Sequence, residues 1–318
     1  MKESIFKLLY YFGTPTLLRI SKKNFVTILS LHRISDERDY FFDPIKPETF
    51  EKLLQYCCKH YTVTTFEGIN TVTEKPKLIL SFDDGYYDFI EIALPMLKKM
   101  GLPSNHNVVN ACINNNETIW TQELNDIFNF LKNNNITNNE TIGNVSSFQG
   151  NWMSYYMHFF NVLLQINRSE RNAIIKTLLT EYNIVSKYRM MNWEDIIYCS
   201  NNDVEIGCHT YNHDSLISIK DASYYYDEIN KSIVEISDKI GKKVTILALP
   251  NGQYNADVLE YIRKLDINYL LLVDDKVNAT TFNPTFNLIS RIMLGDNSFY
   301  ETVLKTELFH SKIKKIYG

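Results

Sequence analysis

Lys77-Leu78-Ile79-Leu80-Ser81-Phe82-Asp83-Asp84-Gly85 is the stretch on which the fold turns. Lys77 to Phe82 form a short, mostly apolar run, the pattern of a buried parallel strand. Two adjacent carboxylates follow, and they are costly to bury together unless a cation or a proton separates their charges. On a regular strand Asp83 and Asp84 would face opposite sides. Gly85 permits a turn there, so both side chains can converge on one site at the strand's end. Taken by itself, the stretch is equally compatible with an ordinary acidic turn.

The same kind of run recurs on both sides of it. Val26–Leu31, Tyr61–Thr65, Asn105–Asn110, Val204–Cys208, Val244–Leu249, Tyr269–Val273 and Leu288–Met293 are expected strands. Helical patterns lie between many of them. Pro47–His60 repeats apolar residues at Phe50, Leu53, Leu54 and Cys57. Asp88–Met100 closes at Gly101 and Asp221–Ile240 stops at Gly241, a residue suited to the end of a helix. Val258–Leu265 is shorter. This alternation predicts the α/β class, an irregular (β/α) barrel of about seven parallel strands. One region breaks the rhythm. From Asn110 to about Asn151 the chain is dense in Asn, and a helical pattern runs from Trp152 to Tyr182. Residues 111–190 are therefore read as a helical insertion, with polar loops, in a barrel spanning 26–318.

A second constellation stands in Glu205-Ile206-Gly207-Cys208-His209-Thr210-Tyr211-Asn212-His213. Here too a strand runs into polar residues, and two His stand four apart. Neutral imidazole is the commonest protein ligand for zinc and its neighbours. Such a pair can share one ion at a strand-to-loop bend, which the preceding strand favours; a surface pair is the alternative. The chain has only seven His, and two of them stand at this strand's mouth. Together the constellations offer a carboxylate and two imidazoles. Three protein ligands plus an exchangeable position is the catalytic pattern, and it leaves Asp83 free to act as a general base.

Ser81-Phe82-Asp83-Asp84-Gly85 followed by His209-Thr210-x-x-His213 resembles the polysaccharide deacetylase, or NodB-type, family of carbohydrate esterases. The resemblance covers most of residues 26–295. It implies an irregular (β/α) barrel and a divalent metal, usually zinc and sometimes cobalt or nickel. It implies Asp83 as general base and Asp84, His209 and His213 as ligands. The implied reaction removes acetyl groups from N-acetylated sugars of a polysaccharide or glycan precursor.

A further family motif, Arg-x-Pro-x-Gly, is kept only in part in Leu247-Ala248-Leu249-Pro250-Asn251-Gly252-Gln253-Tyr254. Pro250 and Gly252 match, whereas Ala248 replaces the Arg. The resemblance implies that Asn251 takes the oxyanion contact through its main chain, with Pro250 and Tyr254 in the same substrate-binding stretch. The missing Arg leaves Asp83 without its usual partner. Arg291, near the end of another expected strand, is the candidate replacement, a surface Arg being the alternative. The family's last motif, an apolar strand ending in a catalytic His, normally lies near the C-terminus. There only His310 follows Leu308-Phe309, in a helical-looking tail. The pattern stands instead at Thr27-Ile28-Leu29-Ser30-Leu31-His32. That order resembles permuted members acting on biofilm and capsule polysaccharides, and it makes His32 the general acid. A buried structural His is the alternative.

Composition sets the outer bounds. Hydrophobic residues at 45% of 318 suffice for a sizeable core, and a net charge of −4 argues against a nucleic-acid partner. Five cysteines, an odd set without a CxxC pair, point to a reducing compartment and a cytoplasmic location. Residues 1–25 form an N-terminal amphipathic segment, without the features of a signal peptide or a spanning helix. It is expected to rest on the fold; peripheral membrane contact, giving a membrane-associated protein, is the alternative. Two rival functions stay open. One is an O-acetyl esterase or other amide hydrolase on the same site. The other is a non-catalytic glycan-binding member, which should lack one of Asp83, Asp84, His209 or His213.

Overall fold

A computed structural model describes residues 2–22, 24–217 and 221–309. Two short helices, α1 (Lys2–Tyr11) and α2 (Thr14–Ile20), lead into strand β1 (Phe25–Leu31). Parallel strands β2 (Lys77–Phe82), β3 (Ser104–Val108), β4 (Val204–Cys208), β5 (Ile246–Ala248), β6 (Tyr269–Leu271) and β7 (Asn287–Ile289) follow in spatial order beside it. A two-residue strand, β8 (Ile292–Met293), then pairs in parallel with β1 and brings the sheet round into a nearly closed barrel. The irregular (β/α) barrel expected from the sequence is the fold observed.

Side chains sort themselves by the period of two that a strand imposes. Val26, Ile28, Ile79, Ile246, Ala248, Leu271 and Ile289 form one buried cluster, which fills the barrel. The alternate residues, among them Leu29, Leu31, Leu78, Leu80 and Phe82, belong to a larger cluster shared with the helices outside. These are α3 (Pro47–His60), α4 (Leu94–Met100), and later helices after β4, β5 and β8. Between β3 and β4 the chain leaves the barrel. Helices α5 (Trp120–Asn133), α6 (Trp152–Gln165) and α7 (Arg168–Glu181) build a separate apolar cluster around Leu124, Phe128, Phe159, Leu163 and Leu178.

Several expected elements change shape for identifiable reasons. The Asp88–Met100 helix opens with a π turn at Phe89–Ala93, because Pro95 has no N–H to continue an α ladder. The Tyr61–Thr65 strand shrinks to Thr62–Val63, since Phe66 and Glu67 turn their N–H groups onto the Glu205 carboxylate instead. The Asn105–Asn110 strand stops at Val108, and a short helix begins at Asn110. The Leu288–Met293 strand is broken at Ser290-Arg291, where the chain passes from its partner β6 to its partner β1. The N-terminal segment rests on the fold as expected, but by one side only. Of its larger apolar residues, Phe6 and Pro15 are buried, whereas Ile5, Leu8, Tyr11, Phe12, Leu17 and Ile20 are exposed. Among the described residues no helix is long and apolar enough to cross a membrane.

Candidate metal centre

The inward alternation carries the chemistry to one mouth of the barrel. On β2 it runs Ile79, Ser81, Asp83; on β1 it runs Ile28, Ser30, His32. On β4 it runs Gly207, His209, and past β7 it runs Ile289, Arg291. All four strands point the same way, so these side chains meet at their C-terminal ends.

Asp83 extends the ladder by one residue, its N–H donating to Leu31 O at 2.9 Å. The chain then turns through two left-handed residues, Asp84 at φ 78° and Gly85 at φ 92°. A Cβ on Gly85 would meet Val108 only at 3.8 Å, so backbone conformation rather than space calls for glycine. Asp84 bears the same conformation with a side chain, a strain of about 1–3 kcal/mol that clusters at functional sites. Thr210 and His213 in the facing loop also have positive φ.

The turn aims Asp84 at the two histidines. Its Oδ1 lies 3.3 Å from His209 Nε2 and 3.6 Å from His213 Nε2. All three residues are buried, and among the described residues no hydrogen bond reaches that oxygen. Around a tetrahedral ion with bonds of ~2.0–2.1 Å, neighbouring ligand atoms stand roughly 3.3 Å apart. The two Asp84 separations match that value, and all three candidate ligand atoms lie within 4.8 Å of one another, a grouping that can hold a metal ion. His209 Nδ1 donates to Ala248 O at 2.9 Å, which leaves Nε2 with its lone pair toward Asp84. Burial pushes His213 down to about 3, keeping it neutral as a ligand must be. Burial alone would raise Asp84, but the nearby imidazoles of His209, His32 and His213 bring it to about 2.

Asp83 has different company. Arg291, fully buried, places Nη1 2.8 Å from Asp83 Oδ1 and Nη2 2.8 Å from Oδ2. Arg291 is itself fixed through Nε to Leu272 O, 3.1 Å. Asn107 Nδ2 donates to Asp83 Oδ1 at 2.7 Å. Burial would push this carboxyl up; the guanidinium, with His209 and His32, outweighs it and holds Asp83 far below the usual range.

A cavity of about 350 Å³ opens over these groups, with His32, Asp83, Asp84, His209, His213 and Asn251 in its wall. His32 meets the Phe42 ring edge-on at 5.1 Å, and its Nδ1 has no hydrogen-bond partner among the described residues. Asn251 sits at φ 57° in the Pro250–Gly252 turn, and Pro250 is buried beneath it. Tyr254 is exposed and outside the cavity wall. His310 lies outside the described residues. The insertion supplies the far side of the cavity through Thr121, Asn125, Tyr156, Met157 and Phe160.

Sequence reasoning missed the residues that hold this site from behind. β3 is Ser-Asn-His-Asn-Val and wholly buried, an unusual run of polar residues for a central strand. Asn107 is the reason, and Gly207 beside it is the complement: a Cβ there would lie 2.1 Å from Asn107 Oδ1. The insertion likewise grips the His213 loop. Trp120 Nε1 donates to His213 O at 2.9 Å. Asp214 is held by Arg171 Nη1 at 2.7 Å, Arg168 Nε at 2.7 Å and the Tyr224 hydroxyl at 2.9 Å.

Comparison with known proteins agrees with the fold. The family model for polysaccharide deacetylase matches residues 153–270, a span that holds both histidines and the Pro250–Gly252 turn. Among solved structures, the Streptococcus pyogenes deacetylase PplD, in complex with acetate, superposes with a TM-score of 0.59 at 16% identity. The match covers 89% of this chain and 98% of that one. IcaB from Ammonifex degensii gives 0.59 at 16%, covering 89% and 97%. The BpsB deacetylase domain from Bordetella bronchiseptica gives 0.52 at 15%, covering 87% and 97%. At such identities these likenesses speak to the fold. No curated protein matches the chain.

Proposed function

We propose that the chain is a polysaccharide deacetylase, the family whose model matches residues 153–270, and that it hydrolyses the N-acetyl groups of a glycan or glycan precursor, using a divalent metal held by Asp84, His209 and His213. The observation that carries this reading is the convergence of that group with Asp83, His32 and Asn251 on one cavity. Zinc suits the ligand set best, with cobalt and nickel as alternatives.

In the reaction, water adds to the acetyl carbon, the C–N bond breaks, and acetate and a free amine leave. Asp83 accepts the proton of the attacking water. Arg291 and Asn107 keep its carboxylate ionised and aimed, at the cost of basicity. A bound divalent ion supplies Lewis acidity that acidifies water and polarises the acetyl carbonyl, which lets so weak a base as Asp83 suffice. The Asn251 N–H donates to the developing oxyanion. His32, protonated, delivers a proton to the departing nitrogen, since an amide anion is too poor a leaving group.

Metal analysis paired with acetate release from N-acetylated and O-acetylated oligosaccharides tests the proposal. About one ion per chain is expected, lost in His209→Ala and His213→Ala, with release from N-acetyl substrates. Release confined to O-acetyl substrates would assign an esterase. A metal retained by the double His variant would remove the basis of the reading.

A further inference from the structure

The N-terminal hairpin carries an apolar face that nothing in the described fold covers. Ile5, Leu8 and Phe12 stand at i, i+3 and i+7, one stripe of a helix, and α2 adds Leu17 and Ile20. Phe12 continues the last turn of α1, its N–H donating to Leu8 O at 2.9 Å. All five are exposed, Phe12 to 76% and Leu17 to 70%. Single exposed apolar residues are ordinary, but a stripe of large ones within sixteen positions marks an interaction surface.

The inner side of the hairpin is fastened, so the stripe is presented rather than frayed. The Tyr10 ring packs against Phe299 at 5.6 Å and Tyr300 at 5.4 Å, both on the C-terminal helix Phe299–Thr306. Arg19 donates to the Tyr56 hydroxyl at 2.7 Å. Lys22 Nζ lies 2.9 Å from the buried Glu307 carboxylate, which also accepts from the Tyr56 and Tyr61 hydroxyls.

Charge identifies what the stripe meets. Residues 1–25 hold five basic side chains and one acidic, and residues 310–318 add Lys312, Lys314 and Lys315. The two chain ends thus carry +7 in a protein whose net charge is −4, and residues 26–309 carry −11. In sequence, the C-terminal basic run begins six residues after Thr306, the end of the helix against which the hairpin packs. A second copy docking face to face would oppose two positive ends. An anionic lipid surface matches both features, taking apolar side chains into the acyl boundary and lysines among its headgroups.

We propose that the α1–α2 hairpin is a foot that seats this protein on an anionic membrane surface. The test uses the full chain and vesicles of phosphatidylcholine with or without phosphatidylglycerol, read by co-sedimentation. Binding is expected only to the anionic vesicles, and it should weaken as salt is raised. Combining Leu8→Ser, Phe12→Ser and Leu17→Ser should weaken it by about tenfold or more. Their exposure predicts that the variant melts as the parent does and releases acetate from a soluble oligosaccharide at the parental rate. Equal partitioning of parent and variant, or no partitioning of either, would overturn the proposal. So would a dimer in sedimentation velocity that the same substitutions dissolve, which would make the stripe a subunit interface. Partitioning, melting and sedimentation do not depend on catalysis, so their failure leaves the deacetylase proposal untouched, and the reverse.

Discussion

Asp83 and Glu205 are both inward-facing carboxylates of the same barrel, at opposite ends of it. Asp83 follows β2 at the C-terminal mouth, and Glu205 lies near the start of β4 at the other. Asp83 faces a guanidinium and an amide and is held ionised. Glu205 meets the backbone N–H groups of Phe66 and Glu67, at 2.7 and 3.1 Å, and burial pushes it up to about 7. Its mouth also has the larger cavity, about 930 Å³ against 350 Å³. Neither a perturbed carboxyl nor a large cavity therefore marks the working end. What distinguishes that end is a dedicated countercharge, three converging ligand atoms and strained backbone at Asp84, Thr210 and His213. A carboxylate built to stay charged and aimed is suited to chemistry, whereas Glu205 closes a turn.

The sharpest way to break this contrast is to neutralise each carboxylate in turn. Asp83→Asn keeps shape and should keep the metal, while acetate release falls by roughly two to four orders of magnitude. Glu205→Gln should leave the rate within about twofold. Equal losses would mean that both ends act through stability alone. His32→Ala belongs with Asp83→Asn, with a fall of roughly 10²–10⁴ and metal content unchanged. A larger fall for His310→Ala would instead restore the ordinary motif order.

A smaller effect is expected from the insertion, which touches the working end only. Trp120 binds the backbone carbonyl of His213, a proposed ligand, and Arg171 the carboxylate of Asp214 beside it. Arg171→Ala should weaken metal affinity by about 10–100-fold in a chelator competition, the usual cost of losing an outer partner. Arg171→Lys should recover part of it, whereas a merely structural role would shift the melting temperature and not the affinity. Asn107→Ala makes the matching test on Asp83, lowering turnover while metal binding holds.

Much of the Asp83 end was legible in the sequence, because period two does most of the placing, whereas Glu205 drew no reading. Ile79-x-Ser81-x-Asp83 and Gly207-x-His209 read directly as inward faces once the strands were drawn. The chain ends of these strands, and hence Asp84 and His213, follow from residues that turn. The rest depended on distant parts of the chain. The missing Arg at position 248 points to Arg291 as Asp83's partner, with a surface Arg as the alternative; the pairing is found, and it relies on the break at Ser290-Arg291 that closes the sheet. No pattern says that Trp120 and Arg171 return to the His213 loop. The polar run Ser104–Asn107 was the one unused signal: Asn105 and Asn107 face inward and find partners there, whereas His106 packs on Phe82 and Phe89 on the other face. The N-terminal stripe shows the opposite failure. Amphipathic spacing was clear, but spacing does not tell which face the fold covers.

The mildest test concerns the pH dependence of stability at the Glu205 end. Its folded-state carboxyl, at about 7, lies above the ~4.3 of an unfolded chain. The folded state therefore binds this proton more tightly than the unfolded one. Its contribution is full below roughly pH 4, is lost as pH rises toward 7, and is level above that. Asp88, which burial raises to about 6 despite Arg33, titrates within the same window. The informative quantity is thus the difference between parent and Glu205→Gln, not the parental slope alone. An amide cannot titrate, and one of its ends must face an N–H group, so the variant should be less stable throughout. Between pH 5 and 7, however, its melting temperature should fall less steeply than the parent's. Parallel curves would mean that Glu205 stays ionised in the fold, held so by the two N–H groups. The two ends of the barrel would then differ in countercharge and ligands but not in the protonation of their carboxylates.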